Sequence, residues 1–434
     1  MKISKKSSHI LVIFFLSLII YSLFIAQEFN STNEISRIGT IYNLVTEHSF
    51  QIDNIPWYNL DKVLINGHYY SDKPPTLSFL HSGIYWMIYH ILHLDLLDNP
   101  SLFLWVFVFL VIALISSLSL VFFYKLLNQT GFKENVCFNM TLLLAFGTLF
   151  FPFSAVYNAH IVAAHFVIFS LYLLTKKEKN IWDSVLVGVF IGLTTTIDLL
   201  VGVFFLFFMS FYFVFYVKRE MKDKLIYFII VLISGLLYLV LNYNLTGLFL
   251  PGSLQPELFS YNGSAFSDDN LTGFYNHSSF WTLCRYAFVL LIGQRGLFIY
   301  TPILIYGIFG FLKAWKSKFD KILLLCLALV ILFSVIFAIL FSSEYSGASF
   351  GIRWFVPLMP IFIFLVSFYY EDMKKRASKF EKYLFYLIYV VSIIIALIGA
   401  FFPWSKGLFS LIWNIDYIWN EFSDKFWNYY YLLT

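Results

Sequence analysis

His68-Tyr69-Tyr70-Ser71-Asp72-Lys73-Pro74-Pro75 closes a polar segment that opens after Ala26, in a chain that is otherwise largely apolar. Directly after it stands Thr76-Leu77-Ser78-Phe79-Leu80-His81-Ser82-Gly83-Ile84-Tyr85-Trp86-Met87-Ile88-Tyr89-His90-Ile91-Leu92-His93. Whether this second stretch crosses a membrane decides which face each later loop occupies. The surrounding 434 residues are 60% hydrophobic and 12% charged, with a mean hydropathy of +0.77. A soluble domain carries about 25% charged residues, so a soluble multidomain enzyme is excluded. Aromatic residues, 22% of the chain, suit many helices with ring-bearing ends at membrane interfaces. The net charge of +4 comes with no basic cluster interleaved with aromatics, so nucleic acid is not an expected partner. Cys137, Cys284 and Cys326 are scattered and fit neither a metal site nor a disulfide framework.

A spanning helix needs about 20 apolar residues. The clear runs are 9–26, 101–124, 136–152, 156–174, 183–217 (long enough for two), 225–243, 296–312, 321–343, 353–370 and 383–403. The first follows Lys2, Lys5 and Lys6 and is read as a retained helix rather than a cleaved signal. Cytoplasmic loops are rich in Lys and Arg. Six clusters serve: Lys2–Lys6, Lys125 with Lys133, Lys176–Lys179, Lys218–Lys224, Lys313–Lys321 and Lys374–Lys382. All six fall on one side only if a single crossing separates the first helix from Lys125. The run 101–124 is the better crossing, so 76–93 is read as an interfacial or re-entrant helix at the outer face. The expected fold is therefore all-α and polytopic, with about eleven spans and a cytoplasmic N-terminus. Its body is 1–403, with outer segments 27–100 and 244–295, and 404–434 forms an aromatic-rich outer tail.

Arg37, Lys62, Lys73, Arg285, Arg295, Arg353, Lys406 and Lys425 are the cations left over, and all fall on the outer side. Topogenesis does not account for them. Arg295 in Gly293-Gln294-Arg295-Gly296 and Arg353 in Gly351-Ile352-Arg353-Trp354 sit beside glycines, which let the backbone approach a phosphate while the guanidinium grips it. Carboxylates gather outside as well: Glu28, Glu34, Glu47, Asp53, Asp61 and Asp72 in the first loop, then Asp198 and Glu344 at later turns. A carboxylate near a phosphate site can take a proton from an acceptor hydroxyl or amine, and Glu34 is best placed, with Asp53, Asp61 and Asp72 as alternatives. Tyr157, Asn158 and His160 occupy another outer turn, so several turns converge polar groups on one face. His160 and His165 lie five apart, which is not a one-face ligand pair. No metal motif, P-loop, dinucleotide fingerprint or GxSxG elbow occurs. No cofactor is expected, and a divalent cation is not indicated. An enzyme acting at the outer face without nucleotide must draw an activated donor from the membrane, and a polyprenyl-phosphate or polyprenyl-diphosphate sugar is the natural candidate.

A first span, a long outer loop with an acid near its start, and Tyr70-Ser71-Asp72-Lys73-Pro74-Pro75 opening an interfacial helix resemble the C-type membrane glycosyltransferases. In pattern the chain is similar to the aminoarabinose transferases of lipid A and the protein O-mannosyltransferases. Gly147-Thr148-Leu149 through His160, Gln294-Arg295-Gly296-Leu297-Phe298 and Ser349-Phe350-Gly351-Ile352-Arg353 resemble bacterial family 39-like members. The resemblance covers most of 9–370. It implies that Lys73 holds a lipid phosphate, with Tyr70 lining the same pocket, and that an acid opening the first loop is the base. The family's usual Asp-Glu pair here reads Asn33-Glu34. The expected function is transfer of a sugar from a polyprenyl-phosphate donor to a lipid, glycan or protein acceptor at the outer face of a bacterial inner membrane. Glu34, Asp53 and Asp72 are the expected catalytic acids. Lys73, Tyr70, Arg295, Arg353, Arg37, His160 and Glu344 are the expected substrate-binding residues. A lipid-linked polysaccharide polymerase or ligase, or a lipid flippase, is the alternative. Charge set inside the spans would mark the flippase, and the spans here are nearly free of it.

Overall fold

The structure, a computed structural model, describes residues 5–178, 180–266, 271, 273, 275–405 and 408. Among the described residues the regular structure is helical apart from one two-stranded hairpin. The first helix, α1 (Lys5–Phe24), leads into the polar segment, which holds α2 (Thr32–Thr46) and strands β1 (Lys62–Ile65) and β2 (His68–Ser71). Next come α3 (Pro75–Ile91) and a long helix made of α4 (Pro100–Val108), a π-turn (Phe109–Ala113) and α5 (Leu114–Gln129). The body continues with α6 (Glu134–Phe146), α7 (Phe150–Phe153), α8 (Ala159–Thr175), α9 (Ile181–Ile197), α10 (Leu199–Phe215) and α11 (Met221–Thr246). After an irregular stretch come α12 (Phe280–Leu291), α13 (Leu297–Tyr300), α14 (Ile305–Trp315), α15 (Lys321–Phe341), α16 (Met359–Arg376) and α17 (Lys379–Phe401).

Among the described residues, six helices are long and apolar enough to cross a membrane: Lys6–Phe24, Pro100–Gln129, Met221–Thr246, Lys321–Phe341, Arg353–Arg376 and Lys379–Phe401. The other expected runs form shorter apolar helices, including Glu134–Phe146, Ala159–Thr175, Ile181–Ile197, Leu199–Phe215 and Pro302–Trp315. This is an integral membrane protein. Two runs are not continuous as the sequence suggested. The run 136–152 stops at Phe146, where Gly147 lies against Leu143, and it resumes only as the single turn α7. The run 296–312 breaks at Thr301, which leaves the helical region (φ −145°, ψ 70°), because the ring of Pro302 disfavours helical backbone in the residue before it. The run 183–217 does split into two helices, with Asp198 at the turn.

Exposed large hydrophobics such as Phe15, Ile19, Phe207, Leu232 and Ile394 cover the helix exteriors, as lipid-facing surfaces require. Helix contacts inside rest on small residues, which let backbones approach closely in lipid. A Cβ on Gly310 of α14 would meet the Leu365 carbonyl of α16. Gly310→Ala therefore forces the two helices apart. We expect a loss of about 1–3 kcal/mol of stability, read as a lower melting temperature in detergent with the helical content retained.

The basic clusters meet at one end of the bundle. Lys6 donates to Asn128 (2.8 Å), Arg219 donates to the Asn180 carbonyl (2.8 Å), and Lys313 pairs with Asp372 (2.7 Å). Each contact joins two of the clusters that the charge count placed on a common side. Among the described residues, α3 runs 17 residues and packs against α2 through Leu77 and Ser78, with Phe79, Leu80, Trp86 and Met87 exposed.

The expected tail 404–434 lies outside the described residues except at 404, 405 and 408. Those three belong to the body. Phe350 N–H donates to the Pro403 carbonyl (2.9 Å), and Leu408 N–H donates to the Tyr300 hydroxyl (2.7 Å).

Candidate functional site

The polar segment folds into a small unit because each piece has a stop and a cap. Ser31 caps α2 by accepting from Asn33 N–H. Asn66-Gly67, both with positive φ (51° and 87°), turn the hairpin in two residues and pair Lys62 with Ser71 and Val63 with Tyr70. Pro75 opens α3 at a position where a missing N–H costs nothing. Three hydroxyl contacts stitch these pieces together. Ser36 Oγ donates to the Asp61 carbonyl (2.6 Å) and lies 2.6 Å from Ser71 Oγ, and Ser71 Oγ accepts from Lys73 N–H (3.2 Å).

This stitching leaves Lys73 Nζ between two carboxylates, 2.9 Å from Asp61 Oδ2 and 2.8 Å from Asp72 Oδ2. All three side chains are largely buried. Burial works against charge on Asp61, but the Lys73 ammonium outweighs it and holds that carboxyl below its usual range. At Asp72 burial wins, helped by the Asp61 charge, and the carboxyl is raised. The two carboxylates raise Lys73 against the cost of burial, so it stays charged. Arg37, one helical turn beyond Asn33, reaches the Asn33 side chain and the Pro74 carbonyl (both 3.4 Å). The Lys-Pro-Pro motif thus starts a helix and also offers Arg37 a carbonyl.

Later turns supply the opposite wall. Glu34 is 3% exposed, and its Oε1 accepts from Tyr157 N–H (3.2 Å). Burial pushes its carboxyl up to about 8, against the nearby Trp404 indole, the Asn30 and Tyr157 N–H groups and the Arg353 charge. The Tyr157 hydroxyl lies 3.0 Å from His81 Nδ1 on α3. His160 Nδ1 lies 2.7 Å from Asp198 Oδ2. Arg353 follows a turn closed by Ser346, Ser349 and Gly351, and its N–H donates to Ser346 Oγ (3.1 Å). Gly351 has φ +67°, and a Cβ there would lie 2.9 Å from the Tyr300 ring, so no other residue fits. The Arg353 guanidinium sits 5.2 Å from the Trp404 ring. Several buried atoms here make no hydrogen bond: Glu34 Oε2, Asp72 Oδ1 and Arg353 Nε. Buried polar atoms are normally satisfied. Of these three, Arg353 Nε is a donor left without an acceptor, and the two carboxylate oxygens are acceptors left without a donor.

Of the residues singled out in the sequence, Glu34, Arg37, Asp72, Lys73, His160 and Arg353 come together; the charges of Arg37 and Arg353 act on His160, and those of Asp61 and Asp72 act on both arginines. Arg295 instead donates to the Ser349 carbonyl (2.8 Å) and braces the turn that carries Arg353. Asp53 is held by His68 (2.9 Å) and Tyr69 N–H (2.8 Å) on the hairpin. Tyr70 packs with Val63, Phe259 and Leu271 in a separate apolar cluster, and its hydroxyl accepts from Gln51. The Glu344 side chain is exposed, and its carbonyl receives the Tyr286 hydroxyl. His165 is tied to Ser116 (2.8 Å) inside the bundle. Among the described residues no group of three His, Cys, Asp or Glu is placed to hold a metal.

The segment 251–266 lies over the hairpin. Tyr261 donates to the Lys62 carbonyl (3.2 Å), and a Cβ added at Gly252 would lie in van der Waals contact with Val63 and the Asp72 backbone. The sequence marks 244–295 as a non-spanning segment, and its contact with the hairpin depends on pairings far apart along the chain. Asp61, Tyr157 and Asp198 stand out in the sequence as polar residues at turns, and their partners do not. Trp404 was assigned to the tail.

The chain has an all-α polytopic membrane fold of the kind seen in C-type glycosyltransferases. Two solved structures share it. ArnT from Cupriavidus metallidurans bound to undecaprenyl phosphate superposes with a TM-score of 0.52 at 11% identity, over 91% of this chain and 70% of that one. The Archaeoglobus fulgidus oligosaccharyltransferase, in complex with Zn and sulfate, gives 0.52 at 13% identity, over 91% of this chain and 54% of that one. The chain thus spans little more than half the length of the oligosaccharyltransferase. No protein-family model matches the sequence, and no curated protein matches it.

Proposed function

We propose that the chain transfers a sugar from a polyprenyl-phosphate carrier to an acceptor at the outer face of the membrane. The observation that carries this reading is the convergence of Lys73, Arg37 and Arg353 around Asp61 and Asp72, with the Arg353 Nε donor left without a partner, at the end of the bundle away from the basic clusters. Cations fixed in a water-poor site stabilise charge as it develops on a leaving phosphate. The bond from the anomeric carbon to the phosphate oxygen breaks, and its electron pair stays on the phosphate. The acceptor oxygen or nitrogen attacks that carbon, and Glu34 takes its proton. A carboxyl titrating near 8 is a stronger base than an ordinary one once ionised. The fold likeness to a protein holding undecaprenyl phosphate supports the choice of carrier. Charge set at one end, rather than along the spans, favours this reading over a flippase. A polymerase or ligase would use the same carrier end and differ in its acceptor.

Binding of the carrier tests the phosphate end. Purified protein is expected to bind undecaprenyl phosphate saturably and undecaprenol weakly. Arg353→Ala should weaken phosphate binding about tenfold or more, the value of a charge-assisted contact. Equal affinity for the alcohol and the phosphate would contradict the assignment. Orientation has its own check. A cysteine placed at Asp95 or Asp98, beyond α3, should react with an impermeant reagent added outside intact cells, and labelling only after lysis would reverse the topology.

A further inference from the structure

His160 and Asp198 form a pair that the phosphate site does not use. His160 stands in the first turn of α8, after the cap Asn158, and Asp198 sits between α9 and α10. The Asp198 side chain is 2% exposed and does two things: Oδ2 meets His160 Nδ1 at 2.7 Å, and Oδ1 accepts from Val201 N–H (3.3 Å) to cap α10. A carboxylate on Nδ1 fixes the tautomer. Nδ1 carries the proton, and Nε2 keeps its lone pair as a hydrogen-bond acceptor. No described group hydrogen-bonds Nε2, and the ring keeps 18% of its surface exposed. The charges of Arg37 and Arg353 both act on this ring. An acceptor atom held beside two cations is of no use to the phosphate itself, which offers no donor when ionised. It suits a hydroxyl on whatever the phosphate carries.

Resting on the transferase reading above, we propose that Asp198 holds His160 so that Nε2 accepts a hydrogen bond from a hydroxyl of the sugar on the lipid phosphate. His160 is then a substrate-recognising residue, and Asp198 a positioning residue acting through it. A site built to pair a substrate hydroxyl discriminates strongly against a ligand lacking it, because the buried partner is left alone.

The test compares binding of undecaprenyl phosphate with that of undecaprenyl-phosphoryl glucose, mannose and galactose, using the full-length protein in detergent. Wild type should prefer at least one sugar-bearing lipid. Asp198→Asn is the decisive variant. Asn caps a helix as well as Asp does, so the fold and melting temperature should hold. The Asn amide donates to Nδ1, which moves the imidazole proton to Nε2 and turns the acceptor into a donor. The preference for the sugar-bearing lipid should fall roughly tenfold to a hundredfold, with the affinity for undecaprenyl phosphate itself unchanged. His160→Gln, whose amide oxygen can still accept, should keep part of the preference, and His160→Leu none. If Asp198→Asn keeps the wild-type preference, or wild type prefers none of the three, the inference is overturned while carrier binding stands. If wild type binds none of these lipids, the transferase reading falls and takes the inference with it.

Discussion

Replacing Lys73 with Met is expected to abolish transfer and to destabilise the protein, and the two effects should be separable. Lys73 lies 2.9 and 2.8 Å from Asp61 and Asp72 in a largely buried setting. Removing it leaves two close carboxylates with no cation between them. Breaking a buried ion pair by deleting one partner costs about 3–5 kcal/mol, and a lower melting temperature would show it. Neutralising the carboxylates as well, in Lys73→Met with Asp61→Asn and Asp72→Asn, removes the unpaired charge and should restore most of the stability. It should not restore transfer, because the cation that faces the leaving phosphate is still missing. Loss of one fixed electrostatic group costs about 10²–10³-fold in rate. A triple variant that regained both stability and activity would assign Lys73 a purely structural role.

Glu34→Gln is expected to have the second largest effect, and its sign depends on pH. Burial raises the Glu34 carboxyl to about 8, so at neutral pH the empty site holds it mostly neutral. As the base, it must ionise before it works. The rate constant kcat/KM should therefore rise with pH through about 8, and Glu34→Gln should lose about 10²–10⁴-fold, the usual share of general base catalysis. Stability runs the other way. A folded-state value above the unfolded one means that the folded protein binds a proton that the unfolded chain has released. The stabilising contribution is complete below the ordinary carboxyl range and is lost as pH rises towards 8, at about 1.4 kcal/mol per pH unit while the two states differ by one proton. Gln cannot titrate, so the variant should lack that slope. A Glu34→Gln protein with wild-type activity and an unchanged pH profile would remove Glu34 from the chemistry.

What the sequence disclosed, and what it withheld, follows from how far each signal reaches along the chain. Apolar runs and charge clusters are local, so the helical membrane fold, the split of 183–217 and the grouping of the basic clusters at one end were legible. Breaks at Gly147 and Pro302 were also written locally, yet a run of apolar residues masks a single breaker. Asn66-Gly67 between Val63-Leu64-Ile65 and Tyr69-Tyr70 is a hairpin signal, and it was overshadowed by the helical pattern around it. The site mixes the two cases. Lys73 and Arg353 stood out because topogenesis does not explain an outer cation. Asp61 as the partner of Lys73, Tyr157 as the donor to Glu34 and Trp404 beside Arg353 depend on contacts between residues more than ten positions apart and, for Glu34 and Tyr157, 123 apart. No local pattern encodes such pairings. Arg295 shows the converse limit: its Gly-flanked context suggested a phosphate, and the structure uses it to brace the Ser349 turn.

Sugar transfer from a lipid phosphate at this end of the bundle can be measured outright. The direct measurement uses purified protein in proteoliposomes, with radiolabelled undecaprenyl-phosphate sugars, a membrane extract as acceptor, and no nucleotide. Label is expected to pass to the acceptor with release of undecaprenyl phosphate in wild type, and Lys73→Met should reduce this to background. Equal transfer by wild type and Lys73→Met, or no transfer from any such donor, would contradict it.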